Sequence, residues 1–367
     1  YEFSDSFEEL GLKSHFKLIM DEFCDFFVDS TTISNGTVTN FVYQKGNGDT
    51  DHGYWGKPED QEKQSGVRRI YSTTNSASDI AAEYAAALAL HILNFPEDHP
   101  NLENDEYLKC AKALYDFSTK YNAVATDGPV GFYPRDTYKN SAVTDDQAWA
   151  AAWLYLVTNN EQYRNDCRSK LDNLSIATGG HFWYNVTLGA ETVYAAHILK
   201  DSTDNKKWDK VTAFLDNCKN RSTNSYLVLD DWGSTRHNTL TQLVALATDK
   251  SRGTTTYQDW CKWQMAYILG NNNIQSNGNS STCFVTGFAD NSSKYVHHRG
   301  ASGLVGWEAY NDSDGTYPSG NLVLGALVAG PTSSGAYTDT FKDAVGNEVA
   351  LDYNAGLVGA AAGLYSV

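Results

Sequence analysis

Long stretches of helical periodicity, separated by long loops that collect Gly, Asn, His and Trp, constrain this chain more than any other feature. Apolar residues recur at helical spacing across 6–29, 78–94, 104–120, 144–158, 160–173, 187–200, 205–218, 236–249, 255–269, 320–329 and 349–365. The first segment opens on acidic residues, as helix starts prefer. Ser78 is placed as an N-cap ahead of an Ala- and Leu-rich run, which Pro96 stops. Ala-rich stretches at 78–92, 146–154 and 355–363 suit helices that approach closely, although helix propensity alone accounts for any one of them. Strand-like alternation is short and scattered, and no Gly/Pro linker or charge run divides the chain. The pattern predicts one all-α domain over residues 1–367. It is built from antiparallel helix pairs, with ligand chemistry on the long links near 35–77, 121–143, 270–319 and 330–348.

Composition narrows the partners. Lys plus Arg total 28 against 45 Asp plus Glu, a formal net charge of −17. That balance argues against nucleic acid or an anionic membrane surface, both of which are bound by basic faces. No apolar run is long enough to span a bilayer. Aromatic residues make up 13% of the chain, with 9 Trp and 23 Tyr. Such a content suits a neutral ligand that stacks on rings, a sugar for example, and equally suits a bulky aromatic core. The six cysteines show neither CxxC pairs nor zinc spacing, so they read as core thiols or as a few disulfides. Asn-x-Ser/Thr sequons at Asn35, Asn173, Asn185, Asn220, Asn279, Asn291 and Asn311 are compatible with a secreted glycoprotein.

Three loops carry the chemistry. In 51–60 (DHGYWGKPED), His52, Tyr54 and Trp55 sit among Gly and Pro, a rigid setting that can stack a pyranose or plug a domain end. In 294–300 (KYVHHRG), two histidines and Arg299 form a donor-rich cluster suited to hydroxyls or to orienting a carboxylate; a cap-and-salt-bridge role for Arg299 is the plain alternative. In 337–356, Glu348 is placed where the last helix starts, with Asp339, Asp343 and Asp352 nearby. A carboxyl there is ordinarily a dipole partner. In an aromatic cleft it is also the expected general acid for glycosidic cleavage.

Taken in order, these segments resemble glycoside hydrolase family 9, the cellulases with an (α/α)6 barrel of helix hairpins. The matching stretches are DHGYWGKPED, SDIAAEYAAALA (78–89), DDQAWAAAWLY (145–155), WQMAYILGNN (263–272), VHHRGAS (296–302), GALVAGP (325–331) and NEVALDYNAG (347–356). The resemblance implies an endo-β-1,4-glucanase that hydrolyses cellulose or related β-glucan with inversion and is secreted. It implies Glu348 as the general acid, Asp339 as an acidic support and His297 as the active-site histidine. His52, Trp55, Tyr138 and Arg299 are implied to hold the sugar. No cofactor is required; a structural Ca²⁺ is allowed at Ser141, Asp145 and Asp146, although Tyr184 and Asn185 stand where the family carries a further Asp. Ala289 and Ala344 replace a family glycine and a family aromatic. The family's base lies in an Asp-Ala-Gly-Asp-His motif upstream of a segment ending like Tyr1-Glu2-Phe3. The base and the barrel's first helix are therefore expected from an upstream segment, or the base from a second chain. The rival reading is a catalytically inactive glycan-binding protein on the same fold.

Overall fold

A computed structural model describes residues 1–65, 68–124, 143–199, 206–275, 281–317 and 319–367. Its helices, in chain order, are α1 (Ser4–Glu9), α2 (Lys13–Asp29), α3 (Gly48–His52), α4 (Pro58–Ser65), α5 (Ser78–Asn94), α6 (Glu106–Tyr121), α7 (Thr144–Thr158), α8 (Glu161–Leu171), α9 (Thr187–Val193), α10 (Lys206–Arg221), α11 (Ser234–Arg252), α12 (Gln258–Ile268), α13 (Gly306–Asp312), α14 (Ala344–Asn347) and α15 (Leu351–Tyr365). Most of the long periodic segments are helices within a few residues of their expected ends. Contacts group the chain into two compact units. One holds Tyr1–Asp49, Arg68–Ala177 and Tyr184–Val211; the other holds Thr50–Val67, Thr178–Trp183 and Thr212–Val367.

In the first unit, α5 packs against both α6 and α7, and α7 against α8. Ala81, Ala82, Ala85, Ala86 and Ala89 of α5 and Ala148, Ala150, Ala151 and Ala152 of α7 are buried in one core. Small side chains bring the backbones close enough for polar cross-links. Ser118 Oγ donates to the Ser78 carbonyl at 2.6 Å, and Gln147 Nε2 donates to the Ser118 carbonyl at 3.0 Å. The N-cap position of α5 is Ala77, in a left-handed conformation, rather than Ser78. The Ser78 hydroxyl instead accepts from the Ala123 amide at 3.0 Å.

Three features depart from the helical pattern. Gly11 (φ +68) divides residues 6–29 between α1 and α2. A three-stranded antiparallel sheet, β1 (Thr31–Ser34), β2 (Thr37–Lys45) and β3 (Ile70–Thr73), occupies a stretch read as loop. Its first turn is Asn35-Gly36, with φ +50 and +75, the positive-φ pair that two-residue hairpins favour. The expected helix at 320–329 does not form. Gly325 and Gly330 take φ +76 and +88, and the residues between them run extended.

In the second unit that extended strap is the organising element. Val328 N–H donates to the Phe284 carbonyl at 3.0 Å, Ala329 N–H to the Glu348 carbonyl at 2.9 Å, and Gly330 N–H to the Gly346 carbonyl at 2.9 Å. The start of α11 closes on it through Thr235 N–H to the Ala329 carbonyl at 3.0 Å and Thr235 Oγ1 to the Val328 carbonyl at 2.5 Å. Helices α11 and α15 lie against each other. A β-carbon on Gly356 would come within 2.5 Å of Thr239 Oγ1 and 3.0 Å of the Leu240 amide nitrogen; on Gly359 it would meet only Leu243 side-chain carbons, from 2.8 Å. All six cysteines are buried free thiols.

The two glycines should separate on substitution. Gly356→Ala pushes against backbone and is expected to cost about 1–3 kcal/mol, the usual penalty of overpacking. Gly359→Ala gains about 1 kcal/mol of helix propensity and meets only a side-chain tip that can rotate, so its net effect should be near zero. Urea midpoints of the two variants check this.

Candidate active site

The Glu348 backbone is gripped before its side chain does anything. Its N–H donates to the Ala344 carbonyl at 3.1 Å, closing the single turn of α14, and its carbonyl accepts from Ala329. Asp343 caps that turn, its side chain accepting from Gly346 N–H at 3.2 Å. On the other flank His297 N–H donates to the Asn347 carbonyl at 2.7 Å. Glu348 therefore lies between the strap and the 296–299 loop, three residues before α15.

Two donors meet on one oxygen of the Glu348 carboxyl. Trp232 Nε1–H reaches Oε2 at 2.6 Å and the Tyr353 hydroxyl reaches the same atom at 3.1 Å. Tyr353 is buried, and Gly233 (φ +73) makes its room, since a β-carbon there would lie 2.8 Å from the hydroxyl. The Arg236 guanidinium stands over the Tyr353 ring at 4.9 Å and pairs with Asp352 at 3.3 Å. Its neighbour His237 is pushed down to about 4 by burial and then by Arg236, so it is neutral and accepts from Arg236 at 3.0 Å. Trp232 and Tyr353 were not singled out from sequence. The Trp232-Gly233 pair immediately before a long helix was the readable signal.

Asp339 does not present a free carboxylate. It is buried and accepts from the amides of Lys294 at 3.0 and 3.1 Å and of Tyr295 at 3.0 Å. Burial raises its pKa from the ordinary value, against those amides, which lower it. Its visible work is to pin the chain just ahead of His297. There, His297 Nδ1 lies 2.6 Å from the Phe341 carbonyl, which assigns the proton to Nδ1 and leaves Nε2 as the acceptor.

One sugar-binding expectation changes. Trp55 is 1% exposed, with Nε1–H bonded to Ser302 Oγ at 3.0 Å, so it cannot offer a ring face to a sugar. It packs inside the site instead: His297 meets it edge-on at 5.2 Å and Trp307 packs at 5.3 Å. Arg299 ties itself to the 51–55 loop through one nitrogen, Nη1 donating to the carbonyls of Asp51 and of Tyr54, the latter at 2.8 Å. It shapes the loop that carries His52, whose exposed ring lies 6.2 Å from Trp307. The surface aromatic nearest the acid is Trp232, 44% exposed.

Tyr138 and Ser141 lie outside the described residues. Asp145 and Asp146 begin α7 in the first unit and are buried. Asp145 Oδ2 accepts from Val186 N–H at 3.1 Å. Asp146 hydrogen-bonds Glu83; burial raises both carboxyls, the Glu83 charge adding to the rise of Asp146 and the bond from Asp146 opposing that of Glu83. Among the described residues, no three His, Cys, Asp or Glu groups are placed to hold a metal. Asp145 Oδ1 and Asn185 Oδ1 are buried without a hydrogen-bond partner among the described residues, and no step below is routed through a cation. No described helix is long and apolar enough to cross a membrane.

The Glycosyl hydrolase family 9 model matches residues 1–361. An endoglucanase of Dictyostelium discoideum is 30% identical over 99% of this chain and 49% of its own length. The solved catalytic domain of Clostridium thermocellum CelT is 36% identical with a TM-score of 0.85, covering 100% of this chain and 76% of that one. The cellulase Cel9M of C. cellulolyticum, solved in complex with cellobiose, is 30% identical with a TM-score of 0.81, covering 100% and 81%. This chain spans between 33% and 57% of the length of the first curated relatives it matches. The helical-hairpin architecture expected from the sequence, the (α/α)6 fold, is shared with those solved domains. With a family model matched from Tyr1 to Ala361 and a shared fold, the chain belongs to glycosyl hydrolase family 9.

Proposed function

We propose that this chain is a catalytic domain of an endo-β-1,4-glucanase acting on cellulose or related soluble β-glucan, with Glu348 as the general acid. The convergence of two donors on Glu348 Oε2 carries the reading. A carboxylic acid accepts hydrogen bonds best at its carbonyl oxygen, so these donors direct the transferable proton to Oε1. As the proton passes to the leaving glycosidic oxygen, the carboxylate charge develops between two fixed donors. His297 Nε2 and the faces of Trp307 and Trp232 are the groups assigned to sugar hydroxyls and rings, with the exposed His52 ring beside Trp307. Arg299 and Asp339 act by holding the loops.

The wider set of family relatives supports the substrate class, since curated members are named endoglucanases and Cel9M is solved with cellobiose. Inversion needs a second carboxylate about 6.5–9.5 Å from the first to activate water on the opposite sugar face. The Asp-Ala-Gly-Asp-His motif expected to hold that base does not occur within Tyr1–Val367. Only the acid's half of the mechanism is assigned here, and the base is proposed to come from an upstream segment or a second chain. Secretion is part of the proposal. The exposed sequon asparagines Asn35, Asn173, Asn220 and Asn311 are available to glycans, whereas Asn185 is buried.

Reducing-sugar release from carboxymethyl cellulose by the natural protein tests the reading. Glu348→Gln should lower the rate by a thousandfold or so, in the range of lost general-acid and charge terms, while cellotetraose binding stays within a few-fold. Saturable binding with no hydrolysis in the unsubstituted protein would favour the inactive glycan-binding alternative.

The two donors give a second test. Tyr353→Phe removes a charge-assisted hydrogen bond worth about 1.5–3 kcal/mol, so kcat on cello-oligosaccharides should fall roughly tenfold to a hundredfold. Trp232→Phe should cost less, because Trp232 is partly solvated. An aryl cellobioside with a good leaving group needs little acid help and should keep most of its rate in both variants. Equal losses on both substrates would remove the assigned role.

A further inference from the structure

A second cluster of titratable groups lies in the first unit. It lines a pocket of about 330 Å³ whose wall is built by α2, the Pro96–Asp98 turn, α5 and α6. Two histidines form its centre. His91 Nδ1 faces His99 Nε2 at 2.9 Å, His91 Nε2 faces Asp21 Oδ1 at 2.7 Å, and His99 Nδ1 faces Asp105 Oδ2 at 2.6 Å. Both rings are buried, at 2% and 9% exposure. The second oxygen of Asp105 is already used, accepting from Leu108 N–H at 2.8 Å as the N-cap of α6.

Counting protons along this row gives a definite answer. Three contacts at hydrogen-bond distance need three protons. Two neutral imidazoles carry two, and two carboxylates carry none. With neutral rings one contact would set lone pair against lone pair in a buried place, an arrangement that costs the full desolvation of an unsatisfied group. A third proton completes every bond. A fourth would set N–H against N–H between the rings.

We propose that His91 and His99 hold one extra proton in common, and that this proton is a latch fastening α2 to α5 and α6. The surrounding charge favours it. Asp21, Asp25, Asp98, Asp105 and Glu106 line the pocket against one ammonium, Lys17. Lys17 bridges Asp21 at 2.8 Å and Asp98 at 2.7 Å. Asp25 accepts from the Tyr107 hydroxyl, whose pKa is raised by burial and by that bond. The Cys24 thiol, also on α2, is pushed up to about 12 by burial and so stays neutral. A proton on each nitrogen of both rings is resisted by the close N···N contact, and burial lowers His91 from its ordinary value against the bond from Asp21, which raises it. Burial raises Asp21, but the bonds from Lys17 and His91 outweigh it and hold that carboxyl below its usual range.

The proton count gives the direction: when the shared proton leaves as pH rises, one of the three contacts loses its hydrogen, so the latch weakens toward alkaline pH. Well below the unfolded value of about 6.5 the unfolded chain takes up two protons where the folded pair accepts one, so stability falls again. The latch works best in weak acid.

Asp105→Asn isolates the effect. The Asn Oδ1 can keep the cap on Leu108 N–H while Nδ2–H donates to His99 Nδ1, so neutral rings then satisfy all three contacts. Urea unfolding of the full chain in EDTA, from pH 6 to 8.5, should show the folding constant of the natural sequence falling at least tenfold relative to Asp105→Asn, one proton allowing about tenfold per pH unit. Identical pH dependence in the two proteins would overturn the proposal. A direct reading needs no variant. In ¹⁵N-histidine-labelled chain at pH 7, three of the four ring nitrogens of the pair should carry protons, with a ¹⁵N–¹⁵N coupling across the central bond. Two protonated nitrogens, or two rings titrating independently near 6.5, would equally overturn it.

Discussion

The grip of the 326–330 strap on the backbone of Glu348 is the constraint on which the second unit depends. One N–H, from Ala329, fixes the carbonyl of the acid, and the same strap is tied to Phe284 on one side and to the start of α11 on the other. Because α11 is also where Trp232 and Gly233 lead in, the strap sets the distance between the acid and its donors. Extended backbone in a largely helical chain is costly unless its polar groups are paired. Here the buried strap amides find partners, and one of those partners is the Glu348 carbonyl.

Around that strap, the aromatic residues divide into two populations. Trp55, Phe341 and Tyr353 are buried supports, packed where a missing ring would leave a cavity. Trp232, Trp307 and His52 keep a face toward solvent. The division explains how one loop can carry both Trp55 and His52: the indole is the anchor that lets the imidazole be presented. Arg299 works in the same sense, its Nη1 donating to the carbonyls of Asp51 and Tyr54.

Much of the scaffold was legible in the sequence, and its failures have physical causes. Periodicity located α5, α6, α7, α8, α10, α11, α12 and α15, because each runs for three or more turns with apolar residues recurring along it. It misread 320–329, where Leu, Val and Ala look helical but two glycines take positive φ. It passed over β1–β3, whose register slips at two bulges break the strict alternation, although Asn35-Gly36 marked the hairpin. Glu348, Asp339 and His297 were legible as a group only through resemblance to a family. Burial was not legible: a Trp in a Gly- and Pro-rich loop reads as a platform, and Trp55 proved to be core. Nor was Trp232, since its role depends on a carboxylate 116 residues away in sequence.

The way Glu348 is held has an evolutionary corollary. Its main chain is fastened at both its amide and its carbonyl without help from the carboxyl group. The fold at this position is therefore indifferent to which side chain it carries, provided the size is similar. A lineage could exchange this carboxyl for its amide in a single mutational step and still inherit the same assembled strap and loops. On the proposed reading, cleaving and merely recognising a glycan would be neighbouring states of this scaffold, separated by one functional group rather than by a refolding event.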